Sequence, residues 1–132
     1  MGERTTIHVC TTCKGADDPS EALADRAGAR LHRAVLARAA ERGDDTVIVG
    51  VECLSVCKRP CTFAFAAPGK WTYVYGDLPP ETGADTLLDG AALYAAAPDG
   101  LIPWRQRPDA LKKGVVARLP PLPLPSIPEA AE

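Results

Sequence analysis

The chain has 132 residues, 46% of them apolar, and a formal net charge of -2 at pH 7. That length supports one domain with its own core, and the faintly acidic balance, with no basic stripe, excludes the strongly positive footprint of a nucleic-acid-binding protein. No apolar run of about eighteen residues occurs, and the opening MGERTTIHV has neither the apolar core nor the cleavage site of a signal peptide, so a cytoplasmic location and no membrane partner are expected.

In chain order, TTIHVC alternates polar and apolar residues and contains β-branched types, which predicts a first strand ending at Cys10. Asp18 as N-cap, Pro19 at the first helical position and Glu21 three residues after the cap predict a helix start. Its body runs to about Arg42 and stops at Gly43, with Leu23, Ala27, Leu31 and Val35 as one apolar stripe. DTVIVGVEC is a nearly continuous apolar, β-branched run, as expected of a central strand covered on both faces, and it ends at Cys53. TFAFAA and KWTYVYGDL flank the turn PGK and predict an antiparallel hairpin, with Trp71, Tyr73 and Tyr75 forming one packed or half-exposed sheet face. A second helix is predicted over about Glu81 to Ala97, weakened by Gly83 and Gly90 and ended by PDG.

Strand, helix, strand, strand, strand, helix is the order of an α/β fold, and a thioredoxin-like sandwich fits it: a small mixed four-stranded sheet with two main helices. Residues 1–100 are expected to form this domain and residues 101–132 a C-terminal extension, Pro-rich from about residue 119. There Pro120, Pro121, Pro123, Pro125 and Pro128 favour polyproline II, as a tail or a strap across the domain. Within the extension, Trp104 with Arg105, Arg107 and Lys112 reads as a segment latched by its tryptophan, or as a docking surface for an acidic partner.

Chemistry is concentrated in five cysteines. Cys10 and Cys13 form C-x2-C, and Cys53 and Cys57 form C-x3-C followed by Cys61. A reducing cytosol disfavours structural disulfides, and an odd number cannot pair completely. Both clusters fall at the C-terminal ends of predicted strands. If those strands are parallel neighbours joined by the helix, the clusters meet and supply four thiolates, enough for a tetrahedral metal or for a 2Fe-2S cluster. His8 within the first strand and His32 within the helix are poor ligands by position, although His8 can approach as a supporting donor. The remaining all-thiolate set suits iron-sulfur or structural zinc, and the C-x3-C spacing departs from the paired C-x2-C loops of many zinc sites. Lys14, Lys58 and Arg59, with backbone N-H groups of the LSVCKR turn, can offset the cluster's negative charge.

The stretch VECLSVCKRPCTFAFAAPGKWTYVYGDLPPETGADTLLDG resembles the second half of thioredoxin-like 2Fe-2S ferredoxins, with Cys53 and Cys57 matching their C-L-x-x-C loop and Cys10 their first ligand. The resemblance spans about residues 5 to 97. Cys13 departs from the pattern, since those ferredoxins carry their second ligand further downstream, and Cys61 stands where cysteine is seldom found. The chain is also similar to an uncharacterised bacterial group of predicted metal-binding proteins that shares CLSVCKRPC and YGDL. That resemblance implies metal binding and an association with cobalamin metabolism.

Three functions follow. The first is a one-electron carrier for a redox partner protein, with a 2Fe-2S cluster on Cys10, Cys13, Cys53 and Cys57 and with Cys61 as alternate ligand. The second is a zinc or other thiophilic metal-binding or delivery protein. The third is a dithiol oxidoreductase using Cys10 and Cys13 with Pro60 nearby. No paired carboxylates suggest hydrolysis, and a carrier or metal-binding protein is favoured over an enzyme. A 4Fe-4S cluster stays open.

Overall fold

The computed structural model describes residues 5–12, 22, 25–55 and 61–121. Its elements are β1 (Thr6–Cys10), α1 (Ala27–Arg42), β2 (Val47–Val51), β3 (Phe63–Ala66), β4 (Thr72–Tyr75), α2 (Ala84–Ala96), α3 (Asp109–Lys113) and β5 (Val115–Leu119), with a 3-10 turn at Trp104–Gln106. The strands form a single mixed sheet in the order β2-β1-β3-β4-β5. β1 and β2 run parallel, and the other pairs are antiparallel.

Strand alternation sends every second side chain to the same side, and the register aligns the large ones. Ile7 pairs with Ile48 and Phe65, Val9 with Phe63, Phe63 with Tyr75, and Phe65 with Tyr73. This row meets Leu31 and Val35 of α1 and Leu87, Leu88, Ala91 and Tyr94 of α2 in one core. Both helices therefore share one face of the sheet. Tyr75 stacks on Phe63 with centroids 5.0 Å apart and on Tyr73 at 5.6 Å, and burying each such large side chain contributes roughly 1.5–3 kcal/mol. α1 ends where Gly43 turns left-handed at φ 67° and its N-H reaches the carbonyls of Ala39 and Ala40. The β3–β4 turn closes through Gly69 at φ 74° and a bond from the Lys70 N-H to the Ala67 carbonyl.

The α/β class agrees with the sequence, and three details differ. First, the helix expected from Pro19 begins at Ala27; Asp18, Pro19 and Glu21 lie outside the described residues. Arg26 is extended (φ -67°, ψ 155°), and its guanidinium donates to the Thr12 carbonyl at 3.2 Å, tying the helix entrance to the end of β1. Second, β2 is an edge strand, because β3 takes the other side of β1. Its apolar run divides between Ile48, packed against the core, and Val49, which is 38% exposed. Third, the sheet has five strands, the fifth supplied by Val115–Leu119, where the sequence read an extension. Ile102 and Leu111 of that region are buried in the core, where a Cβ added at Gly90 of α2 would lie 2.2 Å from Leu111 Cδ1 and force that side chain to move. Of the proline-rich stretch, residues 122–132 lie outside the described residues.

Two buried tyrosines differ in one respect. The Tyr94 hydroxyl donates to the Trp71 carbonyl at 2.5 Å, whereas the Tyr75 hydroxyl has no hydrogen-bond partner among the described residues. Burial without a partner disfavours ionisation and pushes the Tyr75 phenol well above its ordinary range. Removing an unsatisfied buried hydroxyl relieves its desolvation, while removing a bonded one leaves a carbonyl unpaired. Urea unfolding is expected to show Tyr75→Phe stabilised by about 1 kcal/mol and Tyr94→Phe destabilised by about 1 kcal/mol; equal losses in both would contradict this packing.

Candidate metal centre

The three described cysteines, Cys10, Cys53 and Cys61, belong to the same end of the sheet. Parallel register sets Cys10 beside Val51 as the last pair of β1 and β2. The pairing continues past the strands. The Thr11 N-H donates to the Val51 carbonyl at 2.8 Å and the Thr11 hydroxyl to the same carbonyl at 3.1 Å. The Thr12 hydroxyl donates to the Glu52 carbonyl, and the Cys10 thiol donates to it at 3.5 Å. Cys53 is the next residue, so four bonds knit the two cysteine loops together beyond the sheet. On the opposite side the Cys10 N-H donates to the Thr62 carbonyl at 2.9 Å, which sets Cys61, just before β3, at that end too.

The thiols differ in their surroundings. Cys10 is 2% exposed and Cys61 3%, whereas Cys53 is exposed. Cys61 has φ 61°, a left-handed backbone that a non-glycine residue adopts at a cost of about 1–2 kcal/mol. Cys53 sits in a tight loop in which Ser55, also left-handed at φ 61°, donates its N-H to Cys53 Sγ at 3.1 Å. An N-H aimed at sulfur stabilises negative charge there, as backbone nests do for anions.

Cys13 and Cys57 lie outside the described residues, as do Lys14, Lys58, Arg59 and Pro60. Among the described residues no group of three His, Cys, Asp or Glu side chains is arranged to hold a metal ion. The donor chemistry still fits a thiolate-bound group. Cys10 is screened from water, Cys53 accepts an N-H, and both are soft sulfur ligands on joined loops. Ligation requires Cys10 to give up the proton it now donates to Glu52.

The two histidines have different surroundings. His8 lines a cavity of about 310 Å³ with Thr6, Ala66, Lys70 and Thr72 on the sheet face away from the helices. His32 approaches β2 where it nears the cysteine end, since an added Cβ at Gly50 would lie 2.9 Å from both His32 Cε1 and Thr11 Cγ2. Gly50, a lone glycine inside a strand, was the available signal for such a close approach. Arg26, at the Thr12 carbonyl, had no signal in sequence.

The chain belongs to the family described as "Protein of unknown function (DUF1636)", whose model matches residues 7–121. No curated protein matches it. Among solved structures it is similar to a thioredoxin-like [2Fe-2S] ferredoxin from Aquifex aeolicus, with 17% identity, a TM-score of 0.57 and coverage of 93% of this chain and 99% of that one. The likeness shows that the fold is thioredoxin-like. No helix among the described residues is long and apolar enough to cross a membrane.

Burial of His32, with Arg33 beside it as a smaller contribution, lowers its pKa from 6.5. The folded protein therefore binds fewer protons there than the unfolded chain, and this part of its stability, full above pH 6.5, is lost as pH falls through the folded pKa. An NMR titration of the His32 ring is expected to give a midpoint below 6.5, with the acid-side loss of stability reduced in His32→Asn. A midpoint above 6.5 would contradict this environment.

Proposed function

We propose that this member of the family is a one-electron carrier holding a 2Fe-2S cluster on Cys10, Cys13, Cys53 and Cys57, with Cys61 as alternate ligand, and that it serves a redox partner protein in the cytoplasm. The observation that carries the reading is the hydrogen-bonded junction of Thr11 and Thr12 with Val51 and Glu52, which brings Cys10 and the Cys53 loop to one sheet end. The fold it occurs in is one that a [2Fe-2S] ferredoxin also has. A link to cobalamin metabolism belongs to the same proposal and rests on the sequence resemblance alone.

When bound, such a cluster supplies reversible one-electron chemistry with little rearrangement. The chain's own residues set its conditions. Cys10 and Cys61, both buried, keep water from the inner side, and the Ser55 N-H offsets charge at Cys53. The exposed Cys53 keeps the outer side within reach of a partner. Shielding and N-H···S bonds are the means by which proteins adjust cluster potentials.

One observation favours zinc as a second reading: Cys61 adds a third thiol at the same end, and an additional thiol suits ligand exchange during delivery. Dithiol catalysis is weakened by the position of α1. Its activated cysteine belongs at a helix N-terminus, and α1, the first α-helix among the described residues, begins at Ala27, fourteen positions after Cys13.

Anaerobic purification followed by iron, sulfide and zinc analysis tests the proposal. About two irons and two sulfides per chain are expected, with a visible spectrum that bleaches on dithionite. Cys53→Ser and Cys57→Ser are expected to abolish the colour and Cys61→Ser largely to keep it. A colourless protein with stoichiometric zinc would favour the second reading, and a metal-free protein that reduces insulin disulfides the third.

A further inference from the structure

Residues 101–118 carry five Arg or Lys and one Asp, in a chain whose net charge is -2. The fold gathers three of these cations, Arg107, Lys112 and Arg118, against the rings of Trp71, Tyr73 and Trp104. Arg118 pairs with Tyr73 in the sheet register, and its guanidinium lies 4.9 Å from the Trp71 ring. Arg107 lies 5.3 Å from the Tyr73 ring and 5.4 Å from the Trp104 ring, and it donates to the Tyr73 hydroxyl at 3.1 Å and to the Ile102 carbonyl at 3.0 Å. Lys112 Nζ lies 5.8 Å from the same Trp104 ring. Trp104 nevertheless remains 58% exposed, and Arg105 beside it is exposed.

Tryptophan and arginine are the residue types that anchor protein interfaces, and guanidinium groups held on aromatic faces lose little further freedom when they bind a carboxylate. The single acid of this region, Asp109, lies 3.8 Å from Lys112 Nζ. Arg105, Arg107 and Arg118 have no carboxylate partner among the described residues.

We propose that this strip, centred on Trp104 with Arg105, Arg107, Lys112 and Arg118, docks a carboxylate-rich face of a protein partner. A nucleic acid fits less well, because the strip is short and the rest of the chain is negative enough to repel a long polyanion. β5 starts at the sheet end to which the cysteines belong, on the edge away from β2. Val115 pairs with Tyr75, Tyr75 with Phe63 and Phe63 with Val9, three strand spacings or about 14 Å from β5 to β1. The inference stands whether or not the thiols hold a metal.

The test uses the full chain and fluorescein-labelled poly-L-glutamate, read by anisotropy at low ionic strength, with double-stranded DNA as the competing polyanion. Binding is expected to weaken on adding salt and to fall about tenfold in Trp104→Ala and in the exposed-residue variant Arg105→Glu, with far-UV circular dichroism unchanged. Absence of binding, equal binding by these folded variants, or DNA binding as tight as poly-L-glutamate binding would overturn the proposal. So would binding that appears only in Glu129→Gln with Glu132→Gln, which would make the chain's own acidic end the occupant. Self-association abolished by Trp104→Ala would overturn it in favour of a second copy.

Discussion

Parallel pairing of β1 with β2, continued past the last residue of each strand, is the constraint on which the cysteine end of the molecule depends. Hydrogen bonds from Thr11, Thr12 and Cys10 to the carbonyls of Val51 and Glu52 hold the two chain ends side by side where they leave the sheet. A shift of one residue would send each side chain of β2 to the opposite face. It would expose Ile48 and separate the loops. The buried row of Ile7, Val9, Phe63, Phe65, Tyr73 and Tyr75 opposes that shift, because the core beneath the helices fixes the register of every strand joined to it.

The same register gives the thiols unequal surroundings. Cys10 ends a strand flanked on both sides, by β2 and β3, and is buried; Cys53 leaves the edge strand and is exposed. On the proposed reading this asymmetry is useful, since one ligand is screened and another faces a partner. The exposed Trp104 and its cations lie along the opposite edge of the sheet, where β5 widens it. Of that surface, Arg118 is carried by β5 itself.

Much of this was legible in the sequence, for reasons that can be traced to residues. The alternation of TTIHVC gave β1, the PGK turn gave the β3–β4 hairpin, and the apolar stripe through Leu31 and Val35 gave the body of α1. Position within the sheet was not legible. The apolar run of β2 suggested a centre, but local composition does not reveal which strand borders the far side of β1. β5 has no distinct local signal, because Val115 to Leu119 run directly into prolines that favour an extended tail. At the cysteine end, spacing identified the thiols and the strand order brought two loops together, while the approach of His32 to Gly50 and the anchor of Arg26 on Thr12 depend on how α1 lies across the sheet. Contacts of that kind arise from packing and leave no local pattern.

The central claim is that the two cysteine loops grip one inorganic centre in common. X-ray absorption at the metal edge of the purified protein, compared with Cys10→Ser and Cys53→Ser, tests it most directly. The account predicts an all-sulfur first shell with an iron neighbour in the native protein, and loss of that same centre in each variant. A first shell left unchanged by either substitution would show that the loops do not share a centre and would contradict the account.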